Sequence, residues 1–272
     1  MPIIADYHMH TPRCQHALGP MRAYVERAVE LGLSEVGFSD HNPLPRSLGA
    51  NVRMKESELA DYVDDVLDLR REFAGTIKVR LGLEMDYIEG LENYLLCQTR
   101  EYPWDYVIGS IHYLDTECRV GSWSRQPLAN VDDHYDHYFR RLRQLAGSGL
   151  CDIIAHMDVA KRTGKVPGPH QSDAIREILH TIKQAGLAVE INTSGYRHPE
   201  LPEPQPYPSL DIASQAVKLD IPLTVNSDAH APEQVGLQFG LVEAWLDRVG
   251  CRTLARFEGR KRVMYPLAQD LV

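Results

Sequence analysis

The chain has 272 residues, 43% of them hydrophobic, and no uninterrupted apolar run near 18 residues; this allows a sizeable core and excludes a membrane-spanning helix. The formal charge of −9 is interspersed rather than gathered into a basic stripe, which argues against nucleic acid as the main partner. With no basic, apolar leader pattern at the start and no Ser/Gly/Pro-rich linker, we expect a soluble, cytoplasmic protein forming one domain over 1–272, with no membrane partner.

Short β-type runs alternate with longer amphipathic ones. A strand at 2–8 (PIIADYH) leads into a helix at 21–33, and a strand at 34–40 into a helix at 58–73. Strands follow at 77–84 and 105–112, then a helix at 130–146, a strand at 151–156, a helix at 172–186 and a strand at 187–192. The segment 197–209 holds five prolines and cannot be helical throughout, so it reads as an ordered loop. A helix at 209–220 and a strand at 221–228 complete the series. Helices are expected to stop at Gly32, at Gly147 or Gly149, and at Gly186. Seven β-α repeats imply an α/β protein with a parallel sheet covered by helices, and seven strands are close to what closes a barrel. A doubly wound open sheet is the alternative, and periodicity does not choose between the two.

Five cysteines (Cys14, Cys97, Cys118, Cys151, Cys251) are scattered and never form a C-x-x-C pair, as expected of reduced thiols. Cys14, between His10 and His16, is a candidate neighbour of whatever those histidines do.

The informative pattern is where histidines and acids fall. In ADYHMH, Asp6, His8 and His10 alternate, so an extended strand would project all three the same way. His41 follows the second strand, Glu84 ends the third, His112 the fourth and His156 the fifth; Asp228 and His230 follow the seventh. In parallel α/β folds the C-terminal strand ends converge on the site of chemistry, so six of seven strands deliver such a residue to one rim. Of the twelve histidines, only His134, His137, His170, His180 and His198 lie away from that rim or its loops, and the His134/His137 pair reads as a solvated helix face. Imidazole with carboxylate suits zinc, manganese or iron. His8, His10, His16, His41, Glu84, His112, His156, Asp228 and His230 make nine candidate ligands. One ion takes about four to six, so the set implies two or three ions. Asp6 and Asp40, beside candidate ligands, are expected to orient imidazoles.

D-x-H-x-H, His16, S-D-H, Glu84, G-S-I-H, A-H-M-D and N-S-D-A-H, in this order from Asp6 to His230, resemble the PHP (polymerase and histidinol phosphatase) family. I-G-S-I-H-Y, A-H-M-D-V-A-K-R and N-T-S-G-Y-R look most like its histidinol-phosphate phosphatase branch. The resemblance implies a distorted seven-stranded (β/α)7 barrel with metals at the C-terminal strand ends. It assigns His8, His10, Glu84 and Asp228 to one ion, bridging Glu84 with His112 and His156 to a second, and His16, His41 and His230 to a third. It also places Arg162 and Arg197 on the substrate phosphate.

The activity so implied is hydrolysis of L-histidinol phosphate to L-histidinol and phosphate, in histidine biosynthesis. The cofactors would be two to three divalent transition metal ions (Zn, Mn or Fe). A hydroxide shared by two ions would attack phosphorus, with Glu84, Asp228 and His230 the candidate catalytic residues. The leaving oxygen would take its proton from Asp228, a histidine or bound water. Tyr113, Tyr196 and the 197–209 loop are candidates for recognising the imidazole end. Other readings are a phosphoesterase of the same family for another small phosphomonoester or a nucleotide phosphodiester, a barrel amidohydrolase, and a non-catalytic metal-binding module. The amidohydrolase reading lacks its usual bridging lysine and leaves Glu84 without a role.

Overall fold

A computed structural model gives the fold and describes residues 3–45, 48–49, 51–114, 131–164, 166–199, 201 and 203–267. Pro2, Cys118, Asn130, Glu200 and Pro202, which belong to segments or sets considered above, lie outside the described residues.

Seven strands line up in chain order and pair in parallel throughout: β1 (Ala5–Asp6), β2 (Glu35–Phe38), β3 (Lys78–Asp86), β4 (Tyr106–Ser110), β5 (Ile153–Ile154), β6 (Ala188–Asn192) and β7 (Leu223–Asn226). β1 and β7 meet at the rim, where His10 N donates to Ala229 O and Ala229 N donates to His8 O, at 2.9 and 3.0 Å. That seam makes a nearly closed barrel rather than the doubly wound alternative.

β1 and β5 keep only two ladder residues each, against the longer runs expected at 2–8 and 151–156. Beyond β1 side chains add to the backbone bonds of the rim, as where Tyr7 N donates to Asn226 Oδ1 at 2.8 Å. Around the strands lie α1 (Met21–Glu30), α2 (Leu59–Glu72), α3 (Glu92–Glu101), α4 (Val131–Gly147), α5 (Ser172–Ala185), α6 (Leu210–Lys218) and α7 (Phe239–Arg248). α5 ends at Gly186 in the left-handed conformation, and the chain leaves α4 through left-handed Gly149. No described helix is long and apolar enough to cross a membrane.

Strand alternation sets what fills the barrel. Along β3, Arg80, Gly82, Glu84 and Asp86 occupy alternate positions from bottom to rim. Gly82 and Gly37 leave room for the Tyr106 ring, which a side chain at either position would strike. The Tyr106 hydroxyl donates to Tyr7 O at 2.6 Å and approaches Phe38 O at 3.1 Å. An antiparallel hairpin, β8 (Thr253–Glu258) and β9 (Lys261–Pro266), places Ala255 and Phe257 with Ala5, Tyr7, Tyr106, Ile108 and Ile153 in a second apolar cluster. The barrel is therefore packed below its rim, and chemistry has room only at the top.

Candidate metal centre

The rim is built by carrying the ladder past the strands. His41 pairs with Glu84 beyond the end of β2, with Glu84 N donating to Asp40 O at 3.0 Å and Asn42 N to Glu84 O at 2.9 Å. After β1, a short 3-10 turn (Pro12–Cys14) and a left-handed Gln15 turn the chain so that His16 joins the group. Past β7, Asp228 sits at φ 53°, a conformation that asparagine and aspartate tolerate best among non-glycine residues.

Glu84 is fully buried at the centre. Its Oε2 lies 2.8 Å from His41 Nδ1, 3.4 Å from His8 Nε2 and 3.5 Å from His10 Nε2, while its Oε1 lies 3.1 Å from His156 Nε2 and 3.7 Å from His112 Nε2. One carboxylate thus divides five imidazoles between its two oxygens. Asp228 Oδ1 lies 3.1 Å from His10 Nε2 and 3.7 Å from His8 Nε2. His16 and His230 complete the ring, with the His230 imidazole stacked 4.1 Å from that of His10 and tilted against that of His16 at 4.7 Å. All nine candidate ligands meet at one rim.

The electrostatics favour a cation. Burial opposes charge on Glu84, but His41, His8 and His112 outweigh it and hold the carboxyl well below its usual range. Asp228 is likewise well below its usual range, burial being overcome by His8 and His10. Burial also opposes charge on His8, and Glu190, Asp228 and Glu84 overcome it and raise that imidazole; a field that draws a proton draws a metal ion equally. Burial pushes His41 down to about 4 and His230 down to about 3.

The fit to metal rests on unsatisfied atoms. His8 Nε2, His41 Nδ1 and Glu84 Oε2 are buried and face one another without making a hydrogen bond. Such groups are rare unless something else satisfies them. His8, His10 and Glu84 form one set with ligand atoms within 4.8 Å of one another, and His16, His41 and His230 form another.

Three carboxylates fix the rings from behind. Asp40 Oδ1 lies 3.2 Å from His10 Nδ1, as expected. Asp6 does not orient an imidazole: its oxygens accept from the backbone N–H of Ser227 and Gly236, both at 3.0 Å, and from His8 N at 3.4 Å. Only Ala5 and Asp6 are in the ladder, so the alternation that would align Asp6 with His8 is not maintained, and Asp6 ties the seam instead. The carboxylate behind His8 is Glu190, 2.7 Å from Nδ1, and the one behind His112 is Asp86, 2.9 Å from Nδ1. Neither was singled out from sequence, although each is an acid at an inward position of a mostly apolar strand.

The site opens into a cavity of about 700 Å³ whose walls include Arg162, Arg197, Tyr113, His198 and Gln234. Arg197 Nη2 donates to Ser227 O and Asp228 O at 3.0 and 2.9 Å, and its buried Nη1 has no hydrogen-bond partner. Tyr113 faces the cavity, whereas Tyr196 packs against the apolar core. Cys14 is buried with its sulfur within 4.8 Å of ligand atoms of His10 and His230; Cys97, Cys151 and Cys251 are free thiols as well. His137 is exposed on α4, as expected of a solvated face, while His134 is partly buried with its ring edge-on to Tyr135.

A family model described as PHP domain matches residues 6–194. A Deinococcus radiodurans protein named probable histidinol-phosphatase is 37% identical over 95% of this chain and 98% of its own length. A Bacillus subtilis histidinol-phosphatase is 28% identical over 89% of this chain and 98% of its own length. Among solved structures, the Lactococcus lactis histidinol phosphate phosphatase, complexed with zinc, L-histidinol and phosphate, superposes with a TM-score of 0.80. It is 22% identical and covers 95% of this chain and 98% of that one.

Proposed function

The chain belongs to the PHP domain family, and from that membership we propose that it is a metal-dependent phosphomonoesterase converting L-histidinol phosphate to L-histidinol and phosphate. The observation that carries this reading is Glu84, wholly buried, with its two oxygens shared between two groups of imidazoles beneath a cavity whose walls include Arg162 and Arg197. The histidinol-phosphatase relatives, matched over almost their whole length, support the substrate.

In this proposal His8, His10, Glu84 and Asp228 hold one ion, Glu84, His112 and His156 a second, and His16, His41 and His230 a third. Zinc, bound in the Lactococcus lactis structure, suits the donor set, as do manganese and iron. Divalent ions there would supply Lewis-acid stabilisation of the phosphoryl oxygens and a bound water of lowered pKa.

The protein's own residues do the rest. Asp40, Glu190 and Asp86 each face a ring nitrogen, Nδ1, of His10, His8 and His112, which turns the opposite nitrogen inward and fixes each ring's orientation. Arg197, already fixed by two carbonyls, offers its free Nη1 to a phosphate oxygen, and Arg162 approaches from another wall of the same cavity. Such positioned cations stabilise charge that shifts among the phosphoryl and leaving oxygens. Because the cations are local, the overall −9 does not repel a phosphate dianion.

The test is phosphate release from L-histidinol phosphate beside a panel of phosphomonoesters and phosphodiesters, with metal content measured on the same sample. Strong preference for histidinol phosphate with two to three ions per chain is the expected result. Preference for another ester would reassign the substrate, and bound metal without any turnover would favour a non-catalytic module.

A further inference from the structure

Two residues of the AHMDVAKR stretch, Asp158 and Lys161, have no part in the chemistry above, yet both are buried beside the cavity wall, each about 1% exposed. Lys161 Nζ donates to Asp158 Oδ2 at 3.0 Å and to the carbonyl of Pro206 at 2.8 Å, and lies 5.1 Å from the centre of the Tyr207 ring. The same Asp158 oxygen accepts from Ser209 N at 2.8 Å. A buried ammonium whose contacts run to a loop 45 residues away is an expensive way to fill space, since an apolar side chain would avoid the desolvation.

What the pair grips is the proline-rich segment at 205–209. That segment also grips the opposite turn: Asn192 and Tyr207 exchange two backbone hydrogen bonds, of 2.6 and 2.9 Å, and Gly195 lies so close to Gln205 O and Pro206 that no Cβ fits between. Lys161 belongs to the 3-10 turn Val159–Thr163, which carries Arg162. Gly195 belongs to the 3-10 turn Thr193–Arg197, which ends on Arg197. The segment therefore forms a strap gripped on one side by the turn bearing Arg162 and on the other by the turn bearing Arg197.

We propose that Lys161 is a positioning residue: with Asp158 it locks the 205–209 strap, and the strap sets the spacing of Arg162 and Arg197 for a phosphate. This rests on the phosphate role given to the arginines above. Pro206 and Pro208 within the strap then have a use, because a stiff strap holds two turns at a fixed spacing better than a flexible one.

The experiment measures KM, kcat and inhibition by inorganic phosphate for Lys161→Met, alone and in an Arg197→Ala background, with metal content followed throughout. Lys161→Met is expected to raise KM and the phosphate inhibition constant about tenfold, with kcat changed less than about threefold and metal retained. In the Arg197→Ala background it should add less than about twofold, because a spacing between two arginines no longer matters once one of them is gone. Lys161→Arg, which keeps a charge able to reach Asp158, should recover part of the loss. Phosphate affinity unchanged in Lys161→Met, or a full tenfold effect persisting without Arg197, overturns the proposal. Should Lys161→Met fail to fold, Gly195→Ala pushes the strap from its other side without stranding a buried charge, and the same criteria apply. Calorimetric binding of inorganic phosphate to the metal-loaded protein separates the two readings. A wild type that binds phosphate but does not turn over histidinol phosphate removes the proposed substrate, and the strap still stands or falls on the affinity of the variants.

Discussion

Glu190 accepts from four donors: His8 Nδ1 at 2.7 Å and Asn226 Nδ2 at 2.9 Å on one oxygen, His156 N at 2.9 Å and Asn192 Nδ2 at 3.0 Å on the other. Glu190→Gln keeps the shape but replaces one acceptor by a donor, so at least two of these bonds fail and the carboxylate that steadies His8 is lost. Metal affinity or turnover is expected to fall about 10–100-fold with the fold retained; a metal titration and kcat on one preparation decide it, and wild-type values in both would deny Glu190 that role. Glu84→Gln, at the centre, should cost more, at least about 100-fold in turnover, together with loss of bound metal. The difference between these positions is also the difference in what could be read from sequence. Glu84 and the other candidate ligands except His16, which lies on the loop after the Pro12–Cys14 turn, stand at or just past strand ends, where position alone points to a site. Asp40 was legible because it adjoins His41. Glu190 meets His8 across 182 residues, and only the closing of the barrel brings them together.

The β8–β9 hairpin is not legible from the sequence pattern. Its turn is Gly259-Arg260, both at positive φ (54° and 64°), and its strands mix charged with apolar residues, so it lacks the apolar β-α rhythm of the seven parallel strands. α3 went unread because its apolar stripe is short, with Leu95 the one large apolar residue it buries completely. The hairpin's Arg256 donates to Glu35 at 3.0 Å, and Glu35 also accepts from Arg80 at 3.0 Å and the Tyr7 hydroxyl at 2.8 Å. Burial pushes the Glu35 carboxyl up, and Arg80 and Tyr7 more than offset it, leaving it below the ordinary range. A lowered folded-state pKa stabilises the protein above the unfolded value and loses that contribution as pH falls through the folded one. Glu35→Gln is therefore expected to cost on the order of 3 kcal/mol at pH 7 and to flatten the stability loss below about pH 4.5. Urea melts at pH 7 and at stepped acid pH measure both, and an acid limb as steep as that of wild type would show that Glu35 does not contribute to it. Gly82→Ala tests packing one layer higher: its methyl meets the Tyr106 ring, so about 1–3 kcal/mol of destabilisation should appear in the same melts.

Across the whole molecule, the barrel closes where the two ends of the chain's parallel series meet, and the proposed metal centre stands on that seam. His8 and His10 come from the first strand's extension and Asp228 and His230 from the last, separated by about 220 residues of chain and joined directly by the Met9–Ala229 bridge. The seam itself is an isolated bridge rather than a ladder, so little regular sheet holds this closure. An ion ligated from both sides would act as a cross-link over a very long loop and would bind only the closed form. Ions at about 100 times their dissociation constant would then add about 2.7 kcal/mol each. At about 2–4 °C per kcal/mol for a chain of this size, one ion raises the melting temperature by roughly 5–10 °C. Chelation followed by thermal melting, with metal content verified, should show that drop, and readdition of zinc should reverse it. Asp228→Asn weakens the last strand's side of the seam, so its melting temperature should lie lower in zinc and move less on chelation. His112→Ala, whose ring lies away from the seam on β4's extension, should retain most of the shift. If removing all metal leaves the melting temperature unchanged, the ions do not brace the closure, and the barrel is held by its core, by the backbone bonds of the seam and by the Asp6 and Asn226 bonds.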